Sequence, residues 1–239
     1  MNIQCWAITD KGLRRDSNQD SILVDSNLQL YVVADGMGGH SGGEVASQMA
    51  VQTVKDILQK SDFNKESPQD ILQKAYLEAS RNIFDRAKNE QPELTGMGTT
   101  MVLALVKDNS IFVANVGDSR CYLHKVPHLW QITEDHSLLN EHLRAGFMTE
   151  QQVRHMVARN VITRSVGYER DVVPDIMQRE WVEGEYYLLC SDGLSSMVSD
   201  EQICSILNQN PPDKAVHACL QKALEHGGDD NISILLLGG

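Results

Sequence analysis

Five aspartates, Asp20, Asp35, Asp118, Asp192 and Asp230, share one local setting. Each stands at the boundary of an apolar, strand-like run, beside glycine, asparagine or serine. If those strand ends converge, the carboxylates share a site. At an effective dielectric of about 20, two carboxylates about 5 Å apart repel by roughly 3 kcal/mol. Such a cluster must take up protons or bind cations. Donors that are all oxygen favour hard divalent ions, Mg²⁺ or Mn²⁺, over zinc. The sequence has no HxH or HExxH pair and no cysteine cluster to offer softer ligands.

The most informative setting is that of Asp35, in LQLYVVADGMGGHSGGE at 28–44. Leu28, Leu30, Val32 and Val33 read as a strand, with Tyr31 among them. Glycines at 36, 38, 39, 42 and 43 follow, and from Glu44 an amphipathic helix is expected, with Ala46, Met49, Ala50, Val54, Ile57 and Leu58 on one face. A carboxylate at a strand end under a bare backbone loop can present oxygens to a metal or amides to a phosphate. A glycine-rich turn with a capping aspartate has the same appearance, so the stretch alone leaves both open.

The elements that must position these residues follow from periodicity. Residues 3–9 and 21–24 read as strands, joined by a polar loop with Arg14 and Arg15. Ser67, Pro68 and Asp70 mark the start of a second helix, buried through Ile71, Leu72, Ala75, Tyr76, Ala79, Ile83 and Phe84. A period of two then predicts strands over 99–106, 110–116, 120–124 and 129–133, with turns short enough for antiparallel pairing. Asp118 lies in one of those turns, GDS, and reads equally as a turn residue. Residues 135–171 break the alternation. They hold an expected helix over 149–157 and a local positive excursion: Arg144, Arg154, Arg159, Arg164 and Arg170. Strands over 172–182 and 186–191 resume, and YYLLCSDG repeats the pattern of YVVADG. A helix capped by Ser199, another over 212–226 and a strand after Asp229 and Asp230 close the chain.

The chain has 239 residues, 41% apolar and 23% charged, as expected of one globular domain over 1–239. A net charge of -12 argues against nonspecific binding to nucleic acid or to an anionic membrane surface. No apolar run approaches the roughly 20 residues of a membrane span, and the N-terminal residues lack the pattern of a secretion signal. Five cysteines without paired spacing read as reduced thiols of a cytoplasmic protein. Neither Cys121 nor Cys190 has an arginine six positions on, which speaks against a cysteine-nucleophile phosphatase loop.

RDSNQD at 15–20, DGMGGHSGGE at 35–44, GTT at 98–100, VGDSR at 116–120, SDGL at 191–194 and DDNIS at 229–233 occur in that order. Together they resemble the metal-dependent type-2C serine/threonine protein phosphatases in their compact bacterial form, across essentially the whole chain. The resemblance implies an α+β fold, a four-layer α/β/β/α sandwich of two antiparallel sheets flanked by helix pairs. It implies a binuclear Mn²⁺ or Mg²⁺ centre in which Asp35 bridges and Asp192 and Asp230 complete one ion. The Gly36 carbonyl would complete the other, with Asp20 helping directly or through water, and Asp118 would join Asp192 on a weaker third ion. Arg15 would fork two phosphate oxygens while an activated water attacks phosphorus in line. Eukaryotic relatives place a histidine two residues after the bridging aspartate. Here that residue is Met37, leaving His40 or a water as proton donor. Residues 135–171 correspond to the family's flap, which touches substrate, and the arginines there would suit anionic phosphopeptides. The partners implied are phosphorylated proteins and an opposing serine/threonine kinase.

Three other readings remain at this level: a small-molecule phosphate-ester hydrolase on the same fold, a non-catalytic phosphoprotein sensor, and a calcium-binding module. The last lacks any DxDxDG loop.

Overall fold

The computed structural model describes residues 3–146 and 161–239, without the side chains of His40, Ser41 and Glu90. The helix expected over 149–157, with Arg154 and Arg159, lies outside the described residues. In chain order, β1 (Gln4–Asp10), β2 (Asp20–Asp25) and β3 (Leu30–Met37) lead into α1 (Gly39–Lys60) and α2 (Pro68–Asp85). Then come β4 (Gly98–Thr99), β5 (Met101–Lys107), β6 (Ser110–Val116), β7 (Arg120–Lys125), β8 (His128–Gln131) and α3 (Leu138–Arg144). The chain ends with β9 (Asp175–Glu180), β10 (Tyr186–Cys190), α4 (Asp192–Ser195), α5 (Asp200–Gln209), α6 (Pro212–Glu225) and β11 (Ile232–Gly238).

One sheet runs β1-β11-β10-β7-β8 and the other β2-β3-β5-β6-β9, with β4 added to the end of β3. Every pairing between these strands is antiparallel. Side-chain alternation builds the layers. Tyr31 and Val33 of β3 point between the sheets, where they meet Leu189 of β10 and Leu235 of β11. Leu30 and Val32, one residue out of phase, pack under α1 and α2. On the other outer face α5 and α6 cover Leu188, Ile234 and Leu236. The expected α/β/β/α order is therefore the one observed. The Tyr76 hydroxyl, buried under α2, donates toward the carbonyls of Met101 and Ala114 at 3.0 and 2.8 Å, which offsets the cost of burying it.

Local signals hold at the helix starts. Ser67 accepts from the Asp70 N–H, and Ser199 forms a reciprocal capping box with Gln202. At the site, two boundaries differ from expectation. Helix α1 begins at Gly39 rather than Glu44, with Gly42 and Gly43 inside it. A Cβ on Gly43 would lie 2.6 Å from the Gly36 oxygen, and one on Gly36 would lie 2.0 Å from the Gly43 oxygen. The glycines thus let the helix start rest on the strand end. The strand expected over 99–106 is broken at Thr100, because Gly98 and Thr99 leave to pair with Met37 and Gly36.

From residue 161 to β9 the chain is irregular but fastened. Thr99 and Val166 exchange backbone hydrogen bonds at 2.9 and 2.8 Å. Ser80 of α2 accepts from the Gly167 N–H and donates to the Glu169 carbonyl. Gly167 adopts φ +93, and a Cβ there would meet Ile83 at 2.2 Å.

Candidate metal centre

One cleft of about 730 Å³ is lined by Arg15, Asp35, Gly36, Asp118, Asp192 and Asp230, among others. Residues from five separate parts of the chain thus meet at one end of the two sheets. Asp20 stands directly opposite Asp35 in the β2–β3 register but is buried and is not among the residues that line the cleft. Its Oδ2 accepts from the Ser191 hydroxyl at 2.8 Å. His40 lies in the first turn of α1, and its side chain is outside the described residues.

The backbone around Asp35 is held by threonines. Its N–H donates to Thr100 Oγ1 at 3.1 Å, and its carbonyl accepts from Thr99 Oγ1 at 2.8 Å and the Thr100 N–H at 2.9 Å. The Gly36 N–H donates to the Gln19 carbonyl at 3.2 Å, which ties the loop before β2 to the same point. Asp192 opens the short helix α4, whose following Gly193 would place a Cβ 2.0 Å from the Asn231 oxygen.

Like charges dominate the electrostatics. Burial, then Asp20, Asp192, Asp230 and Asp118, raise the Asp35 carboxyl well above the usual carboxylate range. Burial pushes Asp20 up to about 6, against hydrogen bonds from Ser233 and Ser191. Asp118 is pushed up to about 7, by burial and then by Asp192. Asp192 is raised by burial and by Asp230, offset in part by a hydrogen bond with Asp35. Asp20 Oδ1 and Asp192 Oδ1 are buried without a hydrogen-bond partner, an arrangement that costs free energy unless a cation or proton satisfies it. These carboxylates therefore fit a divalent ion. Among the described residues no three histidine, cysteine or acidic side chains close on one point as a ready-made cage. Backbone carbonyls, water and substrate oxygens would have to complete the coordination, as is usual for Mg²⁺.

Arg15 is exposed at the rim, its guanidinium donating to Asp230 Oδ2 at 2.6 Å. That bond, above all, raises its pKa further. The loop that carries it is clamped by Asn231, a residue passed over individually in the sequence although it lies in DDNIS. Its side-chain amide donates to the carbonyls of Lys11 and Ser17, both at 2.9 Å, and its oxygen accepts from the Gln19 N–H at 2.8 Å. Ser191 and Ser233 tie Asp20 to the same clamp.

A second contributor without a sequence signal is His136, buried in the irregular stretch after β8. Its Nδ1 accepts from the Gly117 N–H at 3.0 Å, so it braces the turn that carries Asp118. Its Nε2 faces Asp175 at 3.1 Å, and Arg164 pairs with the same carboxylate at 3.0 Å. Burial first of all lowers the His136 pKa, against the raising effect of Asp175.

The protein phosphatase 2C family profile matches residues 12–226. The serine/threonine phosphatase Stp of Listeria monocytogenes is 37% identical over 235 residues, spanning 96% of this chain and 93% of that protein. The crystal structure of the Mycobacterium tuberculosis serine/threonine phosphatase PstP superposes with a TM-score of 0.90 at 33% identity, covering 99% of this chain and 98% of that one. A PstP catalytic domain solved with two manganese ions gives 0.87 at 32% identity, over 99% and 97% of the two chains.

Proposed function

The chain belongs to the protein phosphatase 2C family and is a serine/threonine protein phosphatase, and from that premise we propose that its cleft works with two tightly held divalent ions, Mn²⁺ or Mg²⁺. Asp35, Asp192, Asp230 and the Gly36 carbonyl would hold them, with Asp20 behind. The carrying observation is the set of mutually raised carboxyls whose buried oxygens lack partners. The manganese-bound PstP domain supports the choice of metal. When bound, such ions acidify water at neutral pH and polarise phosphoryl oxygens.

The protein's own groups do the rest. Arg15 at the rim binds and orients the phosphate through a planar fork, held in reach by the Asn231 clamp. His40, on the segment that follows Asp35, is the proton donor we assign to the leaving serine or threonine oxygen. Residues 1–239 act as one catalytic domain, with 135–171 as its flap. The substrates are phosphoproteins made by an opposing serine/threonine kinase. Among the described residues no helix is long and apolar enough to cross a membrane. The five unpaired cysteines suit a reducing compartment, the cytoplasm. The direct test is phosphate release from a phosphothreonine peptide compared with free phosphothreonine. Equal kcat/KM for the two would favour a small-molecule esterase instead.

Arg15→Ala is expected to raise KM for the peptide about tenfold or more, with a smaller fall in kcat, because a charge-assisted hydrogen bond contributes about 1.5–3 kcal/mol. Steady-state kinetics decides. Equal falls in kcat and kcat/KM would assign the contact to the transition state alone.

Asp118→Asn separates a third, weaker ion from a mere turn residue. Asparagine favours the same turns as aspartate, and His136 braces that turn in either case. If Asp118 is a ligand, the variant should need more Mn²⁺ to reach half-maximal activity, with the loss largest at low metal. Superimposable titration curves would leave Asp118 as a turn residue.

A further inference from the structure

Beside the catalytic cleft lies a second cavity of about 630 Å³, which shares Met37, Gly38 and Ile162 with it. Its open wall carries Tyr168 and Val173, which are 61% and 67% exposed. Val172 also lines it. That volume is in the range of pockets that enclose organic ligands.

Two observations say what it receives. First, each described arginine of the 135–171 segment already has a carboxylate partner. Arg144 pairs with Glu134, Arg164 with Asp175 and Arg170 with Asp85. Asp171, at the cavity edge, is paired in turn with Arg81 of α2. Besides the exposed Glu169, the surface this wall presents is largely apolar: Ile162, Tyr168, Val172 and Val173, with Met37 opposite. Second, the wall is fixed, because the exchange between Thr99 and Val166 and the grip of Ser80 on Gly167 and Glu169 hold it to β4 and α2. Exposed tyrosine and valine on a fastened loop are a preorganised contact surface. A flexible loop could instead have folded them away.

We propose that this cavity is a specificity subsite, taking an apolar or aromatic side chain of the substrate within about three residues of the phosphorylated one. Three residues of extended chain reach about 10 Å, and the two cavities adjoin at Met37, Gly38 and Ile162. The subsite rests on the phosphoprotein phosphatase activity described above but concerns only the choice among phosphopeptides. The phosphate is recognised in the first cleft and its sequence context in the second.

The test is a set of phosphothreonine peptides of equal length. Each position within three residues of the phosphothreonine carries alanine, leucine, phenylalanine or lysine in turn. One position should show leucine or phenylalanine raising kcat/KM about tenfold over alanine, the effect of burying one such side chain. Tyr168→Ser combined with Val173→Ser should erase that gain while para-nitrophenyl phosphate turnover stays at the wild-type level. Both side chains are exposed, so the double variant keeps its core. A flat series, a preference for lysine, or a gain that survives in the double variant would each overturn the subsite. If neither para-nitrophenyl phosphate nor any peptide were hydrolysed, it is the catalytic reading that would fall. The affinity series, measured by fluorescence anisotropy with the same peptides, would still decide the subsite.

Discussion

Asp35→Asn is expected to lower phosphate release from a phosphothreonine peptide by more than about 100-fold, since loss of a partner one shell beyond a metal ligand already costs about 10–100-fold. Asp35 is the carboxyl on which the others converge: Asp20, Asp192, Asp230 and Asp118 all raise its pKa after burial. The same substitution should stabilise the metal-free protein. A carboxyl whose folded pKa exceeds its unfolded value of about 4 opposes folding above the folded pKa. That opposition fades as pH falls toward the unfolded value. Metal-free wild type should therefore gain Tm between pH 8 and pH 5, and Asp35→Asn should start higher at pH 8 and gain less. Wild-type kcat in the variant would remove Asp35 from the centre, and an unchanged Tm profile would remove the charge argument. Asp192→Asn and Asp230→Asn should behave alike in turnover.

Exhaustive chelation is expected to abolish turnover, and Mn²⁺ or Mg²⁺ to restore it. The expectation rests on carboxylates that repel one another and on the unpartnered Asp20 and Asp192 oxygens. Thermal unfolding supplies a readout independent of activity. An ion present at about 100 times its Kd adds about 2.7 kcal/mol to stability, so Tm should rise on addition of Mn²⁺ and the rise should shrink in Asp35→Asn. Full turnover in excess chelator, after dialysis, would overturn the metal assignment.

The layers were legible because β-strand alternation and helix periodicity leave separate marks. Tyr31 and Val33 against Leu30 and Val32 already divide β3 between two cores. The site aspartates were legible for a related reason, since strand ends with glycine neighbours are sparse and recurrent. What was hidden depends on pairs distant in sequence. Thr100 breaks a good strand pattern because the Asp35 carbonyl needs its N–H and the Thr99 hydroxyl. Nothing local in Gly42 and Gly43 shows that they belong to a helix pressed against Gly36. Asn231 and His136 act on loops 212 and 19 residues away, respectively, at Gln19 and Gly117. The arginines of 135–171 looked like an anion-attracting surface because their acidic partners lie on α2, before α3 and at the start of β9.

The place of β11 governs when this activity can first exist. It lies between β1 and β10, and Asp230 and Asn231 come immediately before it. A chain still being synthesised, with β11 inside the ribosome, lacks an interior strand of one sheet, the Asp230 carboxylate of the cleft and the Asn231 clamp on the Arg15 loop. Such long-range pairings also form slowly compared with local helices. A chain in which β11 has not docked is therefore expected to be inert toward phosphoproteins. A partly made copy, or one cut short before Asp230, would contribute no background dephosphorylation in the cell.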